Sequence, residues 1–295
     1  MEVQPADFDC CMFLWRGALG WKSMNQPLQA WRDTLEELGV MGLVRETAAP
    51  LPETRQPRAA EAPRSPAAPQ QPTPKAPSPA PPPYVRPADP VGCPPPEIVA
   101  GAKDLGELQR AIEGCLACPL GCGRMKFVFG EGDPRAQLMF VGEGPGRDED
   151  LQGRPFVGKA GELLDKMISA LGLRREEVYI TNVVLCRPPD NRTPTPSEAQ
   201  TCLAYLRRQI ELIRPAVIVT LGATPLRELV GVTEGITRVR GQWKRVTVGG
   251  LEIPVMPTFH PAYVLRQYTQ DVRRAVWADL KAAKEWVDKA AGGGA

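Results

Sequence analysis

The chain contains a single histidine in 295 residues, His260. It stands in the segment 258–266, directly after an apolar run at 251–257 that predicts a strand ending at a proline. The carboxyl end of a strand is where open α/β sheets place their chemistry. An imidazole at such a position can move protons near neutral pH or bind a metal. On its own a lone histidine is more often structural, so its role depends on the other motifs.

Four cysteines are spaced as metal ligands could be. Cys115 and Cys118 form a C-x2-C pair at the end of a predicted helix, and Cys186 and Cys202 follow with fifteen residues between them. A zinc ribbon would show two close pairs, whereas here only the first pair is close. The wide second pair suits a four-thiolate iron–sulfur cluster better. Zinc, or buried cysteines without metal, remain as alternatives, and Cys122 is a further local candidate.

A glycine-rich loop at 142–146 follows a predicted buried strand at 136–141. It makes a poor dinucleotide-binding fingerprint, because the third glycine comes one position early, a proline interrupts the turn and no helix is predicted directly after it. A nucleotide cofactor is therefore disfavoured, and a plain tight turn is the alternative. The loop does allow close approach to the backbone at a strand end, between the carboxylates of Glu143 and Glu149.

The candidate residues must be positioned by secondary structure. Predicted strands alternate with predicted helices along this part of the chain. Apolar runs predict strands at 136–141, 178–184, 216–221 and 251–257, and helical patterns predict helices at 161–171, 197–213, 224–230 and 272–288. Gly249 and Gly250 predict a hairpin turn. Strand–helix alternation indicates a mainly parallel sheet with helices on both faces. The predicted fold class is α/β, a three-layer α/β/α sandwich.

Composition divides the chain into three parts. Residues 47–96 are dominated by proline and alanine and predict a disordered linker, because such a stretch cannot bury enough apolar surface to fold. Residues 1–46 before it are too few for an independent core and are interpreted as a docking segment for a protein partner. Residues 97–290 form the predicted folded domain.

Charge and hydropathy exclude several classes of protein. No run of about 18 apolar residues predicts a membrane span, and the acidic N-terminus does not resemble a signal peptide. Eight cysteines without such a signal indicate reduced thiols and a cytoplasmic protein. The net charge is only +2, but basic residues crowd 238–245 and 266–274, where they could contact phosphates.

Four motifs then converge in order. They are residues 142–146 (GEGPG), 152–158 (QGRPFVG), 181–189 (TNVVLCRPP) and 260–263 (HPAY). Together they resemble family 4 uracil-DNA glycosylases, the iron–sulfur branch of that superfamily, over residues 108–286. The resemblance implies an enzyme that hydrolyses the bond between uracil and deoxyribose in DNA, leaving an abasic site and initiating base excision repair.

The resemblance also implies roles for particular residues. A [4Fe-4S] cluster would be held by Cys115, Cys118, Cys186 and Cys202. Uracil would lie on the loop Gly142, Glu143 and Gly144, stack on Phe156 and be read by the amide of Asn182. His260 would support the leaving group, while the candidates for positioning the attacking water are Glu143, Glu149 and Asn191.

The segment after His260 presents apolar side chains beside a cation. Such a wedge suits entry into the minor groove, where it would fill the gap left by a flipped nucleotide. The predicted wedge residues are Tyr263, Val264, Leu265 and Arg266. Packing of a helix N-terminus on the core is the alternative for Val264 and Leu265.

Two other functions are consistent with parts of the pattern. One is an iron–sulfur DNA-binding module without glycosylase activity, since fold does not guarantee function. The other is a zinc-stapled hydrolase of free nucleotides. The related branch that forms a covalent adduct carries a histidine-containing insertion near its glycine loop, and this chain has no second histidine. The chain is expected to act as a monomer on uracil-containing DNA, with the cluster stapling the loop from Cys186 to Cys202.

Overall fold

A computed structural model of the protein describes Gly92 and residues 94–292. The predicted docking segment and nearly all of the predicted linker lie outside these residues, so the three-part division stays a prediction. Within the described residues no helix is long and apolar enough to cross a membrane.

A six-stranded mixed sheet organises the described residues. Its strands are β1 (Glu131–Gly132), β2 (Leu138–Gly142), β3 (Tyr179–Asn182), β4 (Val217–Leu221), β5 (Lys244–Val248) and β6 (Leu251–Thr258). They lie in the order β1-β3-β2-β4-β6-β5, with four parallel strands in the centre and an antiparallel strand at each edge. The prediction of a mainly parallel sheet is confirmed, and Gly249 and Gly250 form the turn between β5 and β6 at positive φ.

Helices cover both faces of the sheet. They are α1 (Pro96–Gly101), α2 (Leu105–Ile112), α3 (Pro119–Gly123), α4 (Arg147–Gln152), α5 (Lys159–Ala170), α6 (Pro196–Ile213), α7 (Ala223–Pro225), α8 (Ile236–Val239), α9 (Pro261–Arg266) and α10 (Gln270–Gly292). Side chains alternate across each strand, so Met139 and Val141 enter one core, with α2 and α6, while Leu138 and Phe140 enter the other, with α5 and α10. The three-layer α/β/α prediction is confirmed.

Helix α4 corrects the prediction that no helix follows the glycine loop. It begins immediately after Gly146, although its six residues show no apolar periodicity. Acidic side chains in its first turn favour the helix, because they lie at the positive end of the helix dipole. Among these, Glu149 also accepts a hydrogen bond from the backbone N–H of Gly146 at 3.0 Å.

The start of α6 is fixed by side chains. Thr195 accepts from the backbone N–H of Glu198, whose carboxylate accepts in return from the N–H of Thr195 at 2.8 Å. Arg192 donates two further hydrogen bonds to the buried Glu198, at 2.8 and 2.7 Å. These contacts hold the loop between β3 and α6, which carries Asn191.

The order in which successive strands are added to the sheet reverses at its centre. After β2 the chain adds β3 on one side, then crosses back to place β4 on the other side of β2. In open α/β sheets, ligands bind outside the carboxyl ends of the strands at such a switch point. The glycine loop, Asn182, Gly222 and His260 all lie at these carboxyl ends.

Candidate active site

A cavity of about 740 Å³ opens at the carboxyl ends of the central strands. It brings together most of the residues singled out from the sequence. Those that line it are Glu143, Gly144, Glu149, Phe156, Asn182, Asn191, His260, Tyr263 and Arg266. Gly142 lies beneath this surface, whereas Val264 and Leu265 are not part of it.

Gly142 is held between two of the cavity side chains. A Cβ at this position would lie 2.4 Å from Oδ1 of Asn182 and 2.5 Å from Cζ of Phe156, so no larger residue fits. Asn182 is 1 % exposed, and its Oδ1 has no hydrogen-bond partner among the described residues. A buried, unpaired acceptor is costly unless a ligand supplies a donor. This part of the cavity is therefore built for a polar ligand.

Phe156 supplies an apolar wall next to this amide. Its φ of 50° is unusual for a bulky residue, and its side chain is 6 % exposed. The ring lies 5.6 Å from the ring of His260, with 30° between the two planes. Strain of this kind persists where the surroundings hold it and is typical of ligand sites. The arrangement offers a planar ligand a surface on which to stack.

The three polar residues predicted to position water have different partners. Glu149 accepts from the backbone N–H groups of Gly146, Val157 and Gly158 at 2.9–3.0 Å. Glu143 accepts a short hydrogen bond of 2.5 Å from the hydroxyl of Thr224. The exposed Asn191 accepts at Oδ1 from Nε of Arg187, at 2.7 Å. All three line the cavity.

His260 caps helix α9, and this sets its tautomer. Its Nδ1 accepts from the backbone N–H of Ala262 at 3.1 Å, so the neutral ring carries its proton on Nε2. Burial, and secondarily the charge of Arg266, lower the pKa of His260 from 6.5 to about 4. The ring therefore enters the cavity neutral at physiological pH, as a donor through Nε2.

Sequence reasoning missed the network beneath this histidine. Asp279 on α10 is 2 % exposed and accepts from Nε of Arg240 at 2.9 Å and from the hydroxyl of Thr258 at 2.7 Å. Burial raises the pKa of Asp279, against the opposing effect of these hydrogen bonds. Because Thr258 ends β6 two residues before His260, the network fixes the start of the segment that carries this histidine. Its signal in the sequence was a carboxylate on the apolar face of a predicted helix, one turn after Val276.

The predicted DNA wedge is only partly exposed. Val264 is fully buried, which favours the alternative for this residue, packing of helix α9 on the core. It lies one turn from Pro261 on the inner face of α9, whereas Leu265 and Arg266 point outward, with Leu265 40 % exposed. Tyr263 stacks on Phe259 with 4.8 Å between ring centroids. Leu265 and Arg266 thus remain as the outward pair.

The four predicted ligand cysteines are all buried in one core, and Cys122 is exposed. Tyr205 pairs with Sγ of Cys115 at 3.1 Å, and Arg124 donates to Sγ of Cys186 at 3.3 Å. A hydrogen bond from Cys202 and the amides at the start of α3 lower the pKa of Cys118 to about 7. Burial raises the pKa of Cys186 to about 11.

A donor set of four thiols surrounded by hydrogen-bond donors suits a sulfur-bridged cluster. Among the described residues no group of three or more ligand side chains closes around a single metal ion. The four buried thiols and the donors beside them fit such a cluster.

Comparison with known proteins places this chain in one family. The family model for the uracil DNA glycosylase superfamily matches residues 129–281, more than half of the chain. The chain is 50 % identical over 182 residues to a type-4 uracil-DNA glycosylase of Thermotoga maritima, covering 60 % of this chain and 92 % of that protein. It is 44 % identical to type-4 enzymes of Archaeoglobus fulgidus (63 % and 95 % covered) and Saccharolobus solfataricus (58 % and 81 %). The chain belongs to the type-4 uracil-DNA glycosylases.

Proposed function

We propose that this enzyme removes uracil from DNA in the cavity between the glycine loop and His260. It hydrolyses the bond between N1 of uracil and C1′ of deoxyribose, releases free uracil and leaves an abasic site for base excision repair. The observation that carries the proposal is the unpaired Oδ1 of Asn182, placed beside Phe156 and a neutral His260. Release of uracil from a single-uracil oligonucleotide tests it. No feature of the cavity favours a DNA-binding module without chemistry.

Asn182 explains how uracil is distinguished from cytosine. Its Oδ1 accepts from N3–H of uracil, and its amide nitrogen donates to O4. Cytosine presents an acceptor at N3 and a donor at position 4, so both contacts would fail. Each unpaired buried group costs about 1–3 kcal/mol. Stacking on Phe156 fixes the plane of the flipped base, so that the amide of Asn182 contacts only the edge that carries N3 and O4.

His260 acts on the leaving group. Cleavage of the C1′–N1 bond leaves negative charge on uracil, including O2, and positive charge on the sugar. A neutral imidazole with its proton on Nε2 donates to O2 and stabilises the departing anion. The Ala262 N–H holds the ring in this tautomer. A water then attacks C1′, positioned by Glu143 or Asn191, while DNA phosphates favour the sugar cation.

We expect the reaction rate to stay level as the pH falls through 6.5, and to decline only toward pH 4, where His260 is protonated. A proton on Nδ1 would oppose the Ala262 N–H and displace the ring. Because the pKa of His260 in the folded state lies below its ordinary value, the free energy of unfolding also decreases as the pH falls from 6.5 to about 4. A pH–rate profile and an NMR titration of the chain's single imidazole measure both. A ring titration near 6.5 would contradict this account.

Leu265 and Arg266 are the residues proposed to enter the DNA when the nucleotide flips. Leu265 is an exposed apolar side chain at the end of α9, and Arg266 lines the cavity mouth. An apolar wedge fills the space in the base stack, and a cation contacts the phosphates. Substrate DNA would thus be held against the same edge of the sheet that carries His260.

The four buried cysteines, Cys115, Cys118, Cys186 and Cys202, would hold the [4Fe-4S] cluster. When bound, the cluster would link separate segments of the chain covalently. It would take no part in the reaction, since hydrolysis requires no redox step. It would join the segment that leads into α3, the loop after β3 and helix α6, and so support the loop that carries Asn191. Arg124 donates hydrogen bonds to Sγ of Cys186 and to the carbonyl of Cys115, which places a positive charge beside the thiolates.

We expect a Cys202→Ala variant to lose the visible absorption and the iron of the wild type, about four per chain for this cluster, and to melt at a lower temperature. A Cys122→Ala variant is the matched control and should keep all three properties, because Cys122 is exposed. Metal analysis together with thermal melting makes the comparison. A colourless wild-type protein that contains zinc would contradict the cluster assignment.

The remaining expectations concern partners. The docking segment at 1–46 is proposed to bind another protein, with the linker as a tether, while the glycosylase domain acts as a monomer in the cytoplasm. The described residues do not include that segment. The contacts of the described residues therefore support only the proposal of a DNA substrate.

A further inference from the structure

The sequence makes Glu149 a candidate for positioning the attacking water, but its contacts in the structure indicate another role. We propose that it is a positioning residue, which locks the loop of Phe156 to the glycine loop, and that it does not position the attacking water. The inference rests on the proposed function, because it concerns how the uracil-stacking surface is held.

The hydrogen bonds of Glu149 show how its carboxylate is used. Oε1 accepts from the backbone N–H groups of Val157 and Gly158 at 2.9 and 3.0 Å. Oε2 accepts from the N–H of Gly146 at 3.0 Å. A carboxylate offers about four acceptor sites, so three are already occupied by the protein itself. Little capacity remains to orient a water molecule.

The three donors lie in two different loops. Gly146 belongs to the loop after β2, while Val157 and Gly158 directly follow Phe156 and lead into α5. A Cβ on Gly146 would lie 2.7 Å from Oε2 of Glu149, so the glycine permits this close contact. One carboxylate thus joins the loop that faces the uracil edge to the loop that carries the stacking ring.

Phe156 is the residue that needs such a lock. Its φ of 50° is a conformation that a phenylalanine leaves when its surroundings loosen. In the locked conformation its ring contacts the backbone at Gly142 and stands 5.6 Å from the ring of His260. Releasing Val157 and Gly158 from Glu149 would let the ring move away from Asn182 and weaken uracil binding before any water attacks.

The test separates the lock from a role in water positioning by using free uracil, whose binding involves no attack by water. In a Glu149→Gln variant one oxygen is replaced by an NH2 group that opposes backbone N–H donors. The lock predicts that the dissociation constant for uracil, measured by calorimetry, rises about tenfold. Glu162→Gln is the matched control, because Glu162 is an exposed glutamate on α5, and it should leave uracil affinity unchanged.

Water positioning by Glu149 predicts the opposite pattern. Uracil affinity would stay within about twofold of the wild type, while the single-turnover rate on DNA falls by about 10²-fold or more. That result would overturn the proposal. If the variant does not fold, hydrogen exchange of the wild type decides, since the lock predicts slow exchange at Val157 and Gly158, and rapid exchange there would also overturn it. A wild type that releases no uracil from DNA would instead contradict the proposed function itself.

Discussion

Replacing His260 with alanine is expected to slow uracil excision by about 10²–10⁴-fold under single-turnover conditions. The variant loses the only imidazole in the chain and with it the Nε2 donor that stabilises the uracil anion. Binding of uracil-containing DNA should be nearly unchanged, because the phosphate and wedge contacts come from other residues. Rapid-quench kinetics and DNA titration measure the two effects separately.

A His260→Asn variant is the control for the structural part of this effect. Asparagine is a good N-cap, so it can still accept from the N–H of Ala262 and begin α9. Its shorter amide does not extend as far into the cavity as the imidazole. Both variants should therefore show the reduced rate of uracil excision, but only the alanine variant should have a lower melting temperature. Full activity in either variant would remove His260 from the centre of the mechanism.

An Asn182→Asp variant is expected to lose uracil excision by about 10²-fold or more, and to lower the preference for uracil over cytosine. An ionised carboxylate only accepts hydrogen bonds, so it cannot donate to O4 of uracil. It also repels the uracil anion as the bond breaks. Cytosine, in contrast, offers the carboxylate a donor at position 4. Matched oligonucleotides with uracil or cytosine at one position measure the ratio of the two rates.

Asn191→Asp makes the same chemical change at the mouth of the same cavity. Asn191 is exposed and paired with Arg187, so it does not face the buried edge of the base. The rate at which the Asn191→Asp variant excises uracil can differ from the wild-type rate. The ratio of its uracil and cytosine excision rates should equal that of the wild type. An unaltered ratio in Asn182→Asp would show that another group reads the base.

The architecture could be predicted because its main elements carry strong periodic patterns. Strands β2 and β4 are buried on both faces, and α5, α6 and α10 are long enough to show an apolar stripe. Helix α4 was missed because its six residues are mostly charged and depend on local hydrogen bonds. The burial of Val264 could not be predicted because the phase of the six-residue helix α9 cannot be read from so short a segment.

The same reasoning explains which parts of the site were predicted. Gly142 and Asn182 end two parallel strands and His260 follows a third, so their convergence at one edge follows from the fold class. Thr224 contacts Glu143 from 81 residues away along the chain, and no local pattern signals such a partner. The role of Glu149 was likewise hidden, because its three donors are backbone groups that every sequence possesses.

The most direct test of the central claim is incubation of the purified protein with a labelled oligonucleotide that contains one uracil, followed by alkaline cleavage at abasic sites. The account predicts a single cut at the uracil, release of free uracil, and no cut in oligonucleotides with thymine or cytosine at that position. An intact strand, from a protein that is folded and binds the DNA, would contradict the assignment of this cavity to uracil excision.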